Sequence, residues 1–310
     1  MNELSAELQG EATWKRLTER VGGQSWPAAT LYVVATPIGN LADLGLRAWQ
    51  TLLRCDVIAA EDTRSTRPLL QAWGVDTPLI AAHRHNEAKA AQAIVERLAK
   101  GERVALVSDA GAPAVSDPGA RVVRAVREAG FRVVPIPGAS AVIAALMATG
   151  VTTDENPAFA FAGFLPPKHT ARVKWLRSWS QFKGPVLMFE GPHRLRASLA
   201  DLLEVCGPDR TISIARELSK RFEQVHTVSL GDALNWLDAD SHHGQGEFVL
   251  ILHSEEQVEA EQSDEIDEAT QAWMRVMLET LSVRDATKIA VKATGLGRDV
   301  LYSYALSLKG

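Results

Sequence analysis

The stretch LVSDAGAPAVSDPG, residues 106–119, runs from an apolar strand pattern into two Asp/Gly clusters, each with a proline nearby. Small and rigid residues at a strand end make tight turns, and they also let a ligand approach the backbone. The second cluster reads as a helix start, with Asp117 as N-cap and Pro118 at the first helical position. Outward from it, LYVVA (31–35), DVIAAE (56–61), PLIAAH (78–83), VALVS (104–108) and VVPI (133–136) have the length and apolarity of buried strands. Helical patterns separate them: one ending at Arg54, one over 66–73, one that Asn86 can cap and Gly101 can stop, one stopping at Gly130, and finally AVIAALMATG. This alternation predicts a mostly parallel sheet covered on both faces, and such sheets bind ligands beyond the carboxyl ends of their strands. The unusual sequences TPIGN, AEDTR, HRHNE, SDAGAP and PGAS all fall at such ends. If the strands are parallel, those ends share one edge and make a site.

The chain continues with a strand and turn at FAFAGFLP (159–166), a basic helix KHTARVKWLRSW (168–179), a strand PVLMFE (185–190), a helix from GPHRL to Cys206, and a strand RTISIARE (210–217). VHTVSL and EFVLIL read as later, antiparallel strands about a short helix. EEQVEAEQSDEIDE (255–268) holds eight acids and no base, so removing it turns the net charge of -5 into +3. It reads as a solvated linker. Beyond it, ATQAWMRVMLETL is a helix, Ser282 with Asp285 forms a capping-box-like start, and two further helices flank the turn TGLG. That pattern matches a helix-turn-helix, with a plain helical hairpin as the other reading. The expected organisation is a flexible extension over 1–29, α/β domains over 30–151 and 152–254, an acidic linker over 255–268 and a helical tail over 269–310.

Composition, 46% apolar and 23% charged, is that of a globular protein. Cys55 and Cys206 sit in no CxxC or Cys/His cluster, which speaks against a disulfide framework and a structural zinc and for core thiols in a reducing compartment. The eight histidines are scattered, and no metal constellation is visible. The longest nearly uncharged apolar run, 139–151, is too short to span a bilayer, and the acidic, polar N-terminus lacks a signal-peptide pattern, so a cytoplasmic location with no membrane is expected.

The motifs TPIGNL, AEDTR, HNE, SDAG with SDPG, PIPGAS, GFLP, HRL and ARELSK occur in that order. Their series resembles the ribosomal RNA small-subunit methyltransferase I family, within the tetrapyrrole methylase-like (class III) S-adenosylmethionine-dependent methyltransferases. The resemblance covers about 31–252, and the tail is similar to the family's C-terminal helix-turn-helix extension. It implies an α/β, two-domain class III fold with a small helical extension. It further implies S-adenosyl-L-methionine as cofactor, folded into the cleft between the domains. The implied activity is 2′-O-methylation of a cytidine in the decoding region of 16S rRNA of the 30S ribosomal subunit, by a homodimer. The cofactor residues it implies are Pro37, Gly39, Ser108, Asp109, Ala110, Gly111, Val115, Ser140, Ala141, Phe164, Met188 and Phe189. GAP at 111–113, Ser116 and the FEGPHRL sequence depart from the family's usual residues, but no charged motif residue is lost.

Transfer of a methyl group from a sulfonium to a ribose hydroxyl needs orientation and a group that accepts the hydroxyl proton. The candidates are Glu61, Asp62 and Arg64; His85, Asn86 and Glu87; and Arg194, Arg216, Glu217 and Lys220, with the base among them open. Each also has a structural reading, as an ion pair or a helix cap. Lys168, Arg172, Lys174 and Arg177, with Lys288, Lys292 and Arg298 in the tail, are candidates for RNA phosphates or for solvated helix faces. Two other readings stay open at this point: a methylase of a tetrapyrrole or another small molecule, and a nucleic-acid-binding regulator that senses a small ligand.

Overall fold

The computed structural model describes residues 3–84, 86–154, 156–254, 266–294 and 296–309. The chain forms two compact units, Met1–Ser254 and Glu255–Gly310. The larger opens with helix α1 (Glu3–Gly22) and strand β1 (Thr30–Val34), then α2 (Leu46–Arg54), β2 (Val57–Ala60), α3 (Thr63–Ala72), β3 (Leu79–Ala81), α4 (Glu87–Ala99), β4 (Arg103–Val107), α5 (Ala120–Glu128), β5 (Arg132–Ile136) and α6 (Ala141–Thr149). Its five strands pair in the order β3-β2-β4-β1-β5, and every pair is parallel. Alternate residues of each strand serve opposite faces. Tyr32, Val34, Ile58 and Ala105 pack with Ala48 and Leu52 of α2 and Leu70 of α3. Leu31, Val57, Val104 and Leu106 pack with Ile94 and Leu98 of α4 and Val122 and Val126 of α5. The parallel pairing puts all five carboxyl ends on one edge, as the spacing of the motifs predicts.

The same unit continues with β6 (Ala160–Phe164), α7 (His169–Trp179), β7 (Val186–Glu190), α8 (Leu195–Cys206), β8 (Thr211–Arg216), β9 (Gln224–Ser229), α9 (Leu230–Ala239) and β10 (Phe248–Leu252). The second sheet has the order β6-β7-β10-β8-β9, with β6 and β7 parallel and the other pairs antiparallel. One face is covered by Leu176 of α7, Leu199 and Leu202 of α8 and Ala233 of α9. The other receives α6, whose Val142 and Ala145 pack on Leu187, Ala215, Val249 and Ile251. The small unit holds α10 (Glu268–Thr280), α11 (Val283–Thr294) and α12 (Arg298–Lys309) around Met274, Leu278, Ala286, Ala290, Leu301 and Ala305. The Ser282 hydroxyl accepts from the Asp285 N–H at 3.1 Å, the expected cap. No described helix is long and apolar enough to cross a membrane.

The structure adds a helix to the extension and overturns one phosphate candidate. The extension expected to be flexible carries α1, whose Glu, Ala, Leu and Arg content favours helix; Trp14 stacks on Trp49 of α2 with ring centroids 6.5 Å apart. Most of the acidic stretch, 255–265, lies outside the described residues. Arg172 is no phosphate ligand: it is 3% exposed, and its Nε donates to Asp201 Oδ2 at 2.6 Å while Nη1 donates to the Pro166 and Pro167 carbonyls. On α7 the residue three positions from Arg172 is Trp175, a core neighbour, whereas Lys168, Lys174 and Arg177 face solvent.

Removing one partner of a buried ion pair leaves an uncompensated charge. Arg172→Ala is therefore expected to lower the unfolding free energy by about 3–5 kcal/mol, read from urea denaturation. Exposed Lys174→Ala should stay within about 0.5 kcal/mol of the parent.

Candidate active site at the strand ends

A cleft of about 460 Å³ lies along the carboxyl edge of the first sheet and is closed by the second. Its floor is the loop after β4. Thr36 and Gly111 exchange backbone hydrogen bonds, N to O at 2.9 and O to N at 3.0 Å, tying the ends of β1 and β4 together. Gly111 has φ +75, a left-handed conformation in which a side chain would be strained, and a Cβ there would stand 3.3 Å from the Ile38 side chain. Ser108 is buried below, its hydroxyl donating to the Ala110 and Gly111 carbonyls at 3.3 and 3.4 Å.

Three carboxylates meet on this edge. The Asp109 side chain accepts from the Asp62 N–H at 3.1 Å and the Ser65 hydroxyl at 2.8 Å. The Glu61 carboxyl is raised above its ordinary value, first by burial and then by the charges of Asp117 and Asp109, against a hydrogen bond from the Asp109 N–H. Asp117 is raised by burial and by Asp109. It is not the helix cap that the Asp-Pro sequence predicts. α5 begins at Ala120, and Glu87 Oε1 accepts from the N–H groups of Gly119 and Arg121 at 2.9 and 3.0 Å. A cap brought from α4 thus frees Asp117 to line the cleft.

The opposite wall carries Glu217, Lys220 and Glu247. Lys220 Nζ donates to Glu217 Oε1 at 2.9 Å and to Glu247 Oε2 at 2.7 Å, and the Glu247 N–H donates to Glu217 Oε1 at 2.9 Å. Burial acts to raise the Glu217 carboxyl, but the Lys220 and Glu247 bonds outweigh it and hold the group low. Burial likewise acts to lower Lys220, and its two carboxylate partners raise it. Glu217 has φ +50, a strained backbone for a non-glycine residue. Glycines at 39 and 246 make room, since a Cβ at either would collide with the Lys220 or Glu217 stem. Nearby, the side chain of Glu190 is fully buried. It accepts from Gly191 N at 2.8 Å, Arg194 Nη2 at 2.7 Å and Ser198 Oγ at 2.5 Å, which fixes Arg194 at the cleft.

Of the candidates from sequence, Glu61, Arg194, Glu217, Lys220, Asp109, Ala110, Gly111, Val115, Ser140, Ala141, Phe164 and Phe189 line this cleft. Pro37, Gly39 and Ser108 are not among its lining residues: Pro37 and Ser108 are buried, and Gly39 is exposed with its backbone close to the Lys220 stem. Met188 does not line it: strand alternation turns its side chain into the core with Leu199 and Leu250, while Phe189 faces the cleft. Asp62 caps α3, accepting from the Arg64 N–H at 2.8 Å, and the exposed Arg64 guanidinium forks onto it. These bonds hold the Asp62 carboxyl down at about 2. Asn86 makes no side-chain cap; its amide donates to Ala81 O at 3.2 Å. Glu87 is the α5 cap. Arg216 is buried, its Nε donating to Gln245 O at 2.6 Å and Nη1 to Phe222 O at 3.2 Å. His85 lies outside the described residues. Sequence reasoning missed Asp117, Glu190 and Glu247: the first reads as a cap, and the other two read as strand termini.

Residues 30–234 match the tetrapyrrole (corrin/porphyrin) methylases, and residues 264–309 match the RsmI C-terminal HTH domain. A protein of Neisseria meningitidis serogroup B named ribosomal RNA small subunit methyltransferase I is 46% identical, over 90% of this chain and 94% of its own. Proteins of the same name from Pseudomonas aeruginosa and Escherichia coli O157:H7 are each 41% identical, over 91% and 90% of this chain and 99% and 96% of their own. The chain belongs to the ribosomal RNA small subunit methyltransferase I family. Among solved structures, a cobalt precorrin-4 methyltransferase of cobalamin biosynthesis superposes with TM-score 0.55 at 13% identity, over 72% of this chain and 94% of that one, a likeness of fold. A uroporphyrin-III C-methyltransferase from Thermus thermophilus gives 0.52 at 19%, over the same shares.

The family's enzymes are S-adenosylmethionine-dependent methyltransferases, and so is this chain. The cleft fits that cofactor. It is walled by Ile38, Val142, Phe164, Phe189, Leu218 and Val249, and it carries six carboxylates against two cations, Arg194 and Lys220. Apolar walls suit an adenosine, and the carboxylate excess suits a ligand bearing a sulfonium and an ammonium group.

Because folding raises Glu61 and Asp117, their ionised forms oppose the fold, and stability declines as pH climbs from the ordinary carboxylate range through the raised values. Asp117→Asn is expected to raise the melting temperature at pH 7–8, with the gain disappearing near pH 4. Thermal scans at both pH values check this.

Proposed function

We propose that this methyltransferase acts on the ribosomal RNA of the small subunit, transferring a methyl group to the ribose 2′-hydroxyl of a cytidine in the decoding region. The reading rests on relatives named ribosomal RNA small subunit methyltransferase I that match nine-tenths of the chain, and on a carboxylate-lined cleft at the strand ends. When bound, S-adenosylmethionine supplies an electrophilic methyl group on a positively charged sulfur. The loop 108–111 and the Ser140–Ala141 turn would hold the donor through backbone groups, and Phe164 and Phe189 would give its adenosine an apolar wall. The hydroxyl proton passes to Glu61. Its carboxyl is raised by burial and by Asp117 and Asp109, which makes it a better proton acceptor than Asp62, pinned near 2 by Arg64. Arg194, fixed by buried Glu190, orients an anionic group of the substrate, and the Glu217–Lys220–Glu247 network keeps that wall rigid.

The protein acts as a homodimer in the cytoplasm. Ile143 and Met147 stand one turn apart on α6, 48% and 80% exposed, and offer an apolar surface to a second copy; among the described residues Cys55 and Cys206 form no disulfide, in keeping with a reducing compartment. Met147→Glu should shift the light-scattering mass from dimer to monomer.

The decisive assay follows tritiated methyl from S-adenosylmethionine into small subunits lacking the modification, with mass spectrometry of the nucleosides. 2′-O-methylcytidine is expected, and transfer to no RNA form overturns the substrate. Glu61→Gln should cut turnover by about 100-fold or more. A loss under about tenfold in a folded variant removes Glu61 as the base.

A further inference from the structure

The helix after the cleft loop has the sequence ARVVRAVRE, with three arginines and one acid, which comes last. Arg121, Arg124 and Arg127 are exposed, while Val122 and Val126 are fully buried. At about 100° per residue the three guanidinium stems span an arc of roughly 120° opposite the valines, over a rise of about 9 Å. Among the described residues none of the three lies in an ion pair. The single acid of the helix, Glu128, stands four residues after Arg124, the spacing at which opposite charges can meet, yet the two form no ion pair. Here a chain of net charge -5 concentrates unpaired arginine on one short helix. Arg121 even occupies the first turn, where the helix dipole disfavours a cation. The Glu87 carboxylate on the Gly119 and Arg121 N–H groups offsets that dipole and leaves the guanidinium outward.

The stripe begins a few residues beyond those lining the cleft. Asp117, which lines it, stands four residues before Arg121. Exposed Arg84 stands in the loop after β3, three residues before Glu87, whose carboxylate reaches the Gly119 and Arg121 N–H groups at the start of α5.

We propose that Arg84, Arg121, Arg124 and Arg127 form a track for the phosphates of the RNA substrate, leading from the cleft mouth along α5. The proposal rests on the ribosomal RNA reading and says which face of the larger unit meets that RNA. A planar guanidinium binds a phosphate through two parallel N–H donors, and arginine is the residue type the track uses throughout. The track is separate from α7, where Arg172 is buried and only Lys168, Lys174 and Arg177 remain available.

The test compares the full-length parent with the triple variant Arg121→Gln, Arg124→Gln, Arg127→Gln, and with an α7 control, Lys168→Gln, Lys174→Gln, Arg177→Gln. Methyl transfer to unmodified small subunits gives kcat and KM, filter binding at several salt concentrations gives the slope of log affinity against log salt, and calorimetry with S-adenosylmethionine and a melting curve report cofactor site and fold. For the α5 variant, KM for the subunit should rise about tenfold or more, and the salt slope should become shallower by about 2, near 0.7 for each lost phosphate contact. Its kcat and cofactor affinity should stay within about twofold. Should the triple variant melt early, Arg124→Gln alone is measured, with a slope change of about 0.7 expected. An active parent with KM and slope unchanged by the α5 substitutions overturns the track, as does a loss confined to the α7 control. A parent that methylates no ribosomal RNA overturns the substrate reading instead, and the track falls with it.

Discussion

The parallel pairing of β1 between β4 and β5 is the constraint on which the rest of the molecule depends. A parallel sheet needs a crossover after each strand, so every loop that follows a strand emerges on the same side. The order β3-β2-β4-β1-β5 makes β4 and β1 neighbours, and their loops part company at the carboxyl edge. Thr36 and Gly111 bridge that parting with two backbone hydrogen bonds. The bridge sets the floor of the cleft, and glycine at 111 is what permits the approach to Ile38. From there the chain must carry its donors and acceptors outward, which is why polar and charged residues crowd the five strand ends.

The second sheet completes the site because α6 faces both ways. Its N-terminal turn, Ser140 and Ala141, lines the cleft, while Val142 and Ala145 pack into the second sheet with Leu187, Val249 and Ile251. A helix covering the second sheet thereby fixes where Phe189, Glu217 and Glu247 stand relative to Asp109 and Glu61. The strained backbone at Glu217 belongs to this join. Its carboxylate must meet the Glu247 N–H and Lys220 together, and the φ of +50 is the conformation that reaches both.

The strands and helices were legible because their signals are local: apolar runs of strand length, punctuated by Gly, Pro and Asp. The site was legible in outline because strand ends on a parallel sheet coincide with the motif-bearing loops. What escaped were effects that need tertiary partners. Met188 and Phe189 are adjacent and both apolar, and only sheet alternation against a particular neighbour says which one is core. Arg172 sits among exposed basic residues on one helix, and nothing in its own segment reveals Asp201 of α8. Glu87 and Asp117 exchanged roles for the same reason. Asp-Pro is a good cap signal, but a carboxylate from α4 outcompetes it when α4 and α5 pack side by side.

That exchange has a chemical consequence for the cleft. An aspartate spent on capping accepts backbone N–H groups and is held ionised, as Asp62 shows at about 2. Asp117, relieved of that duty, faces Asp109 in partial burial and moves the other way. Glu61 feels both neighbours. The edge therefore carries two kinds of carboxylate a few residues apart: one locked in the charged form by arginine and backbone donors, and a group that resists ionisation and so can accept and release a proton. Burial is the first cause of the rise at Glu61 and Asp117, and the Arg64 side chain is the first cause of the fall at Asp62. Moving the cap of α5 from Asp117 to Glu87 leaves the Asp117 carboxyl without backbone N–H partners, half-buried in the cleft beside Asp109.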